Sequence, residues 1–169
     1  YNNLGEMAFA AGDAAKAESF FKQAAAKNAN APEVNANLGL VELVKNNVAA
    51  AEAYLGKATG ANAANEALGN LYIKQGQYQR AVNAFGDAKT NSAAQAQILA
   101  KDYNKAKATL EAIKDKDAMT DYLMAIVGAR TNNESLVAKS LKSAIAKDSS
   151  MAAKAANDIE FIKFAGLLK

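Results

Sequence analysis

The chain has 169 residues, of which 51% are hydrophobic and 7% aromatic, and its 20 basic and 17 acidic residues leave a formal charge of +3. It contains no histidine and no cysteine, which excludes disulfides, thiolate chemistry, the usual general base and the common zinc ligand sets. No run of about 18 uninterrupted apolar residues is present to span a bilayer. The two charge signs alternate along the chain, and Arg80 and Arg130 are its only arginines, so the concentrated basic face expected of a nucleic-acid binder is missing.

Alanine supplies much of the apolar share, and Pro32 is the sole proline, a mixture that favours helices packed closely through small side chains. In chain order, Leu4-Gly5, Leu38-Gly39 and Leu68-Gly69 open the same pattern at nearly equal steps. At one fixed offset after each Leu stand Gly12, Asn46 and Gly76, residue types that tolerate the left-handed conformation closing a helix. A second apolar stripe follows each turn: Ala17, Phe21 and Ala24; Ala51, Leu55 and Ala58; Ala81, Phe85 and Ala88. The i, i+4, i+7 spacing keeps each set on one helical face, so every unit reads as helix, tight turn, helix.

A fourth unit repeats Tyr78, Ala81, Phe85 and Ala88, at a shorter step, as Tyr103, Ala106, Leu110 and Ile113. Its first helix has room for about two turns over 92–100, with Ser92 and Gln95 spaced as a capping box. The fifth unit has Asp117 or a neighbour as cap, a helix through Ala129, a turn over 131–133, and Val137, Leu141 and Ala144 on its second helix. A last helix is expected at about 151–165. Helix starts are punctuated by Pro32 at a first helical position, by Asn62 after Gly60, and by Asp148 or Ser149 before the terminal helix.

With these residues in place, the chain resembles the tetratricopeptide repeat family, whose unit of about 34 residues carries Leu-Gly, then Tyr, Gly, Tyr, Ala, Phe and Ala. The third unit matches best, through Leu68, Gly69, Tyr72, Gly76, Tyr78, Ala81, Phe85 and Ala88. The second has Glu42 where the first-helix Tyr is usual, and the fifth has Met124-Ala125 in place of Leu-Gly. The resemblance implies an all-α, right-handed α-solenoid of about five helix-turn-helix units (1–30, 31–60, 61–90, a shortened 91–115, and 116–148) with a capping helix at 149–169. The motif residues are packing residues: Gly and Ala allow close helix approach, and the aromatics fill the spaces between units.

In the family, the first helices line a concave groove that takes peptides or partner segments. Carried onto this sequence, the lining residues are Asn2, Glu6 and Phe9 with Ala10, then Leu40, Leu43 and Val44 with Ala36. They continue with Glu66, Asn70, Ile73 and Lys74, and with Tyr122 and Arg130 flanking Ile126. Phe9, Leu40, Leu43, Val44 and Ile73 make the middle of this groove apolar, which fits a hydrophobic peptide or helix better than a carboxylate that Glu6 would repel. The terminal stretch offers Phe161, Phe164 and Leu168 as a docking patch, through which a homodimer or a neighbouring domain could be contacted.

No catalytic, cofactor-binding or metal-binding set is assigned. Asp115, Asp117 and Asp121 lack the central Gly and distal Glu of a calcium loop, and helix capping accounts for them. The expected function is therefore non-catalytic protein–protein interaction, with no nucleic-acid partner, no membrane insertion and no cofactor. The alternative is a structural spacer or assembly segment contacting through the C-terminal helix; a small-molecule or glycan receptor finds no support in the scattered aromatics. The start at Tyr1 without Met reads as a segment of a longer protein, and the Ala-, Asn- and Lys-rich style is similar to bacterial envelope proteins, a periplasmic or envelope setting with cytoplasm as the alternative.

Overall fold

Helices paired across tight turns make up the computed structural model, which describes residues 1–58 and 62–168, and of these all side chains but 62, 63, 167 and 168. Gly60 of the expected junction lies outside the described residues, as does the side chain of Asn62. No strand occurs among the described residues, so the fold is all-α as expected. Two bodies divide the chain, Tyr1–Gly76 and Gln77–Lys169.

The first body holds α1 (Asn2–Ala10), α2 (Ala14–Lys27), α3 (Pro32–Val44), α4 (Val48–Lys57) and α5 (Asn62–Lys74). The second holds α6 (Tyr78–Phe85), α7 (Asn91–Leu99), α8 (Tyr103–Ala112), α9 (Ala118–Arg130), α10 (Glu134–Lys147), α11 (Met151–Ala156) and a closing 3-10 segment, Ile159–Leu168.

Identical turn chemistry joins the helix pairs. Gly12, Asn46, Gly76, Lys101 and Asn132 all have φ between 57° and 85°, the left-handed conformation that ends a helix. The next N–H then reaches back across the turn: Asp13 to Ala8 O at 3.0 Å, Asn47 to Glu42 O at 2.8 Å, Asp102 to Gln97 O at 2.8 Å and Asn133 to Gly128 O at 2.7 Å. That same residue starts the following helix. Asp13, Asp102 and Asn133 accept from the backbone N–H of Lys16, Lys105 and Leu136, satisfying a donor with no intrahelical partner.

Small residues set how closely the helices approach. Ala17, Ala51, Ala81 and Ala106 are fully buried, and a Cβ on Gly39 would lie 2.6 Å from Leu55 Cγ, too close for any side chain. In the fifth hairpin Ala125 is likewise fully buried, and Gly128, further along α9, takes up the close approach, its virtual Cβ 3.0 Å from the backbone nitrogen of Val137. Phe21, Val34, Leu38 and Val41 pack one cluster of the first body, and Tyr122, Val137, Leu141, Met151, Phe161 and Phe164 pack the last cluster of the second.

Two expected details differ. Thr90, not Ser92, caps α7, its Oγ1 accepting from Ala93 N at 3.2 Å. The helix starts at Asn91, ahead of the expected 92, because Asn91 is pinned to the start of α9, donating to Asp117 and accepting from Thr120 Oγ1. The expected helix over 151–165 breaks at Asn157–Asp158, where Asn157 Nδ2 returns to Ala153 O and Asp158 Oδ1 accepts from Glu160 N. Short polar side chains compete here with the helical ladder, and a 3-10 segment follows.

Candidate functional site

Within the first body, the stripe carried by α1, α3 and α5 is partly committed to structure. Asn37 Nδ2 donates to Asn2 Oδ1 at 3.0 Å and to Glu6 Oε1 at 3.1 Å, and Asn2 donates to Glu6 at 3.2 Å. Asn2 and Glu6 thus tie α1 to α3. Phe9 is half-buried against the Phe21 cluster, while Leu40 and Ile73 are half-buried and Ala36 is buried. Ala10, Val44, Glu66, Asn70 and Lys74 are exposed.

Between α3 and α5 lies a cleft of about 260 Å³ lined by Leu43, Asn46, Val48, Ala67, Asn70, Leu71 and Lys74. Three sequence-derived positions, Leu43, Asn70 and Lys74, meet there. The floor is aliphatic, and the rim offers two amides that can each donate and accept and one ammonium group. Such a lining receives an apolar side chain and pairs with the polar backbone beside it. Asn46 and Val48 lie outside the sequence-derived set; they enter because the left-handed turn at Asn46 folds the start of α4 toward α5.

The second body has a cleft of about 370 Å³ between α7, α9 and the end of α11, lined among others by Asn91, Gln95, Met119, Tyr122, Leu123, Ile126, Lys154 and Asp158. Asn91 and Gln95 are related to Glu66 and Asn70 by the same displacement that carries Tyr78 onto Tyr103. Extending that displacement from α8 back to α7 finds them in the sequence.

Tyr122 is not a free groove residue. Only 2% exposed, it donates through its hydroxyl to Asp158 Oδ2 at 2.6 Å and meets the ring of Phe161 edge to face at 5.5 Å. Burial first, and then the Asp158 carboxylate, push the phenol well above its ordinary range, so it stays neutral and a donor. The Lys154 ammonium lies 5.0 Å from the centre of the same ring. Arg130, at the end of α9, is paired: its Nε lies 3.1 and 3.0 Å from the two carboxylate oxygens of Glu160, and its Nη1 reaches Tyr103. Glu160 foremost, then Tyr103, raise the guanidinium further above its ordinary range.

The docking patch is also corrected. Phe161 and Phe164 are 1% and 4% exposed, inside the core against Tyr122, Leu141 and Met151, and the side chain of Leu168 lies outside the described residues. The 3-10 path turns both phenylalanines inward and leaves Ile159 and Ile162 outside, 80% and 69% exposed. The expected patch assumes α-helical spacing, and the change of helix type moves the apolar face.

Asp117 serves as the N-cap of α9 in a full capping box with Thr120. The Thr120 backbone N–H, foremost, holds its carboxyl below the usual range. Among the described residues no group of three or more metal-ligating side chains comes together, and no helix is long and apolar enough to cross a membrane.

The family model for the tetratricopeptide repeat matches residues 63–95, which span the best sequence unit and its Gly76 turn. The chain carries a tetratricopeptide repeat. Its fold is similar to that of a thermophilic tetratricopeptide repeat protein of Thermus thermophilus, with 16% identity, a TM-score of 0.57 and coverage of 90% of this chain and 94% of that one. No curated protein matches the sequence. Tetratricopeptide repeats generally mediate protein–protein interaction.

Proposed function

We propose that this tetratricopeptide repeat chain is a non-catalytic interaction module that takes an extended peptide or partner-protein segment on the first-helix stripe of its first body. The carrying observation is the α3–α5 cleft, where Leu43, Asn70 and Lys74, carried over from the family resemblance, converge with Asn46 and Leu71. Leu43 and Leu71 supply an apolar anchor site. Asn46 and Asn70 are placed to pair with a peptide backbone, and Lys74 favours an acidic neighbour in the ligand.

Affinity selection of a random peptide library on the full chain, repeated on an Asn70→Glu/Lys74→Glu variant, tests this reading. Both positions are exposed, so the helices should be untouched. Enriched peptides should bind the native chain and lose the variant; equal enrichment on both would refute the site.

A second reading, assembly through the C-terminal segment, draws support from exposed Ile159 and Ile162. Light scattering should then show a dimer that Ile159→Glu/Ile162→Glu dissolves, and a monomer at all concentrations would remove this reading.

A further inference from the structure

Tyr122, Ile126 and Arg130 hold on α9 the register that Glu66, Asn70 and Lys74 hold on α5, related by one constant displacement along the chain. On α5 these side chains are exposed. On α9 the chain's own residues 158–164 lie over them: Asp158 accepts from Tyr122, Glu160 pairs with Arg130, and Phe161 stacks edge-on against Tyr122. The covering stretch carries Asp158, Glu160, Phe161 and Phe164 along with Lys163, and the stripe beneath carries the Arg130 guanidinium. Glu160 and Arg130 are complementary in charge.

We propose that residues 158–164 are a tethered ligand of α9, which lifts away to admit a partner peptide of the same chemistry, acidic residues followed by aromatics. The proposal rests on the same first-helix reading, applied to α9 within the second body. Three features make the segment separable from the helices below it. It is 3-10 and not α-helical, a geometry whose hydrogen bonds are poorer than those of an α-helix. It is cut off from α11 at Asn157–Asp158 and is irregular again at Phe164, with φ −112° and ψ 15°. Its outward isoleucines, Ile159 and Ile162, remain in solvent, which leaves Phe161 and Phe164 as its apolar hold on the helices below.

A tethered occupant reduces the apparent affinity for a free one by the fraction of chains in which it is lifted. The probe is a fluorescently labelled peptide of residues 157–166, NDIEFIKFAG, titrated into the full chain and followed by anisotropy. Glu160→Lys in the chain weakens the tether and leaves α9 intact, so it should tighten binding of the native peptide by about tenfold; adding Arg130→Glu should abolish that gain. Equal affinity of the native and Glu160→Lys chains, or a gain that survives Arg130→Glu, would overturn the proposal. Amide hydrogen exchange on the native chain tests it without any substitution. Residues 158–166 should exchange at least about tenfold faster than α9 and α10, and exchange of all three together would overturn it. Should these arms fail while Asn70→Glu/Lys74→Glu still loses its selected peptides, the tether falls and the groove reading stands; the reverse pattern removes the α5 site alone.

Discussion

The hydroxyl of Tyr122 donates a 2.6 Å hydrogen bond to Asp158, far along the chain. It ties the middle of α9 to the point where the last helix ends, with Phe161 edge-on against the same ring. Tyr122→Phe keeps the ring contact and removes the donor. A hydrogen bond to a charged acceptor contributes roughly 1.5–3 kcal/mol, and because Asp158 is only half-buried and water can replace the phenol, the lower end is expected. Exchange protection of residues 158–166 should fall while that of α3 and α4 stays constant.

Glycines at equivalent-looking helical positions should respond with opposite sign. Gly39→Ala drives a Cβ to 2.6 Å from Leu55 Cγ, and overpacking of this kind costs about 1–3 kcal/mol, more than the helix propensity of Ala returns. Gly56, in α4, has nothing within 4 Å of its virtual Cβ. There Gly56→Ala should stabilise by about 0.5–1 kcal/mol. Thermal denaturation of the two variants beside the native chain should bracket it, one melting lower and one higher.

Lys101 holds the left-handed turn position, with φ 65°, that Gly12 and Gly76 hold elsewhere. A side chain in that conformation costs roughly 1–2 kcal/mol, and Lys101 is exposed. Lys101→Gly should therefore raise stability, by less than that cost because glycine also gains freedom in the unfolded chain. Urea denaturation is the direct measure, with an unchanged slope and a higher midpoint.

Acid should destabilise the fold from identifiable carboxylates. Lys22 at 2.6 Å, and then Lys45 at 3.0 Å, hold Glu18 below its ordinary 4.5, and the Thr120 backbone N–H holds Asp117 below its ordinary 3.8. A carboxylate whose folded value is depressed contributes stability that is complete above its ordinary value and is lost as pH falls through the depressed one. Melting temperature should be level above the ordinary carboxylate range and decline below it. Glu18→Gln should flatten the upper part of that decline, and an unchanged acid limb would show that Glu18 has no share in it.

Turns and packing faces are legible in the sequence because each depends on a few residue types at fixed offsets. Gly12, Asn46 and Gly76 can be read from their tolerance of positive φ, and Ala17, Ala51 and Ala81 from their small size at one register. Lys101 is hidden, since nothing in a lysine announces a left-handed turn; only its place relative to Gly76, matching that of Tyr103 to Tyr78, does so. The end of the chain misleads for a different reason. Phe161 and Phe164 look like an exposed stripe at α-helical spacing, and the Asn157–Asp158 break turns them inward, where Tyr122, far away in sequence, meets Asp158 and Phe161. Among groove residues, Asn70 and Lys74 are reached by carrying the family's first-helix positions onto this register. Tyr122 shares the register of Glu66, but a tertiary contact buries it.

The central claim is that the α3–α5 stripe recognises a peptide, and calorimetric titration of a library-selected peptide into the native chain and Asn70→Glu/Lys74→Glu tests it most directly. The expected result is an affinity loss of at least about tenfold, about 1.4 kcal/mol, with unchanged circular dichroism and melting temperature. Equal affinities for the two chains would contradict the account.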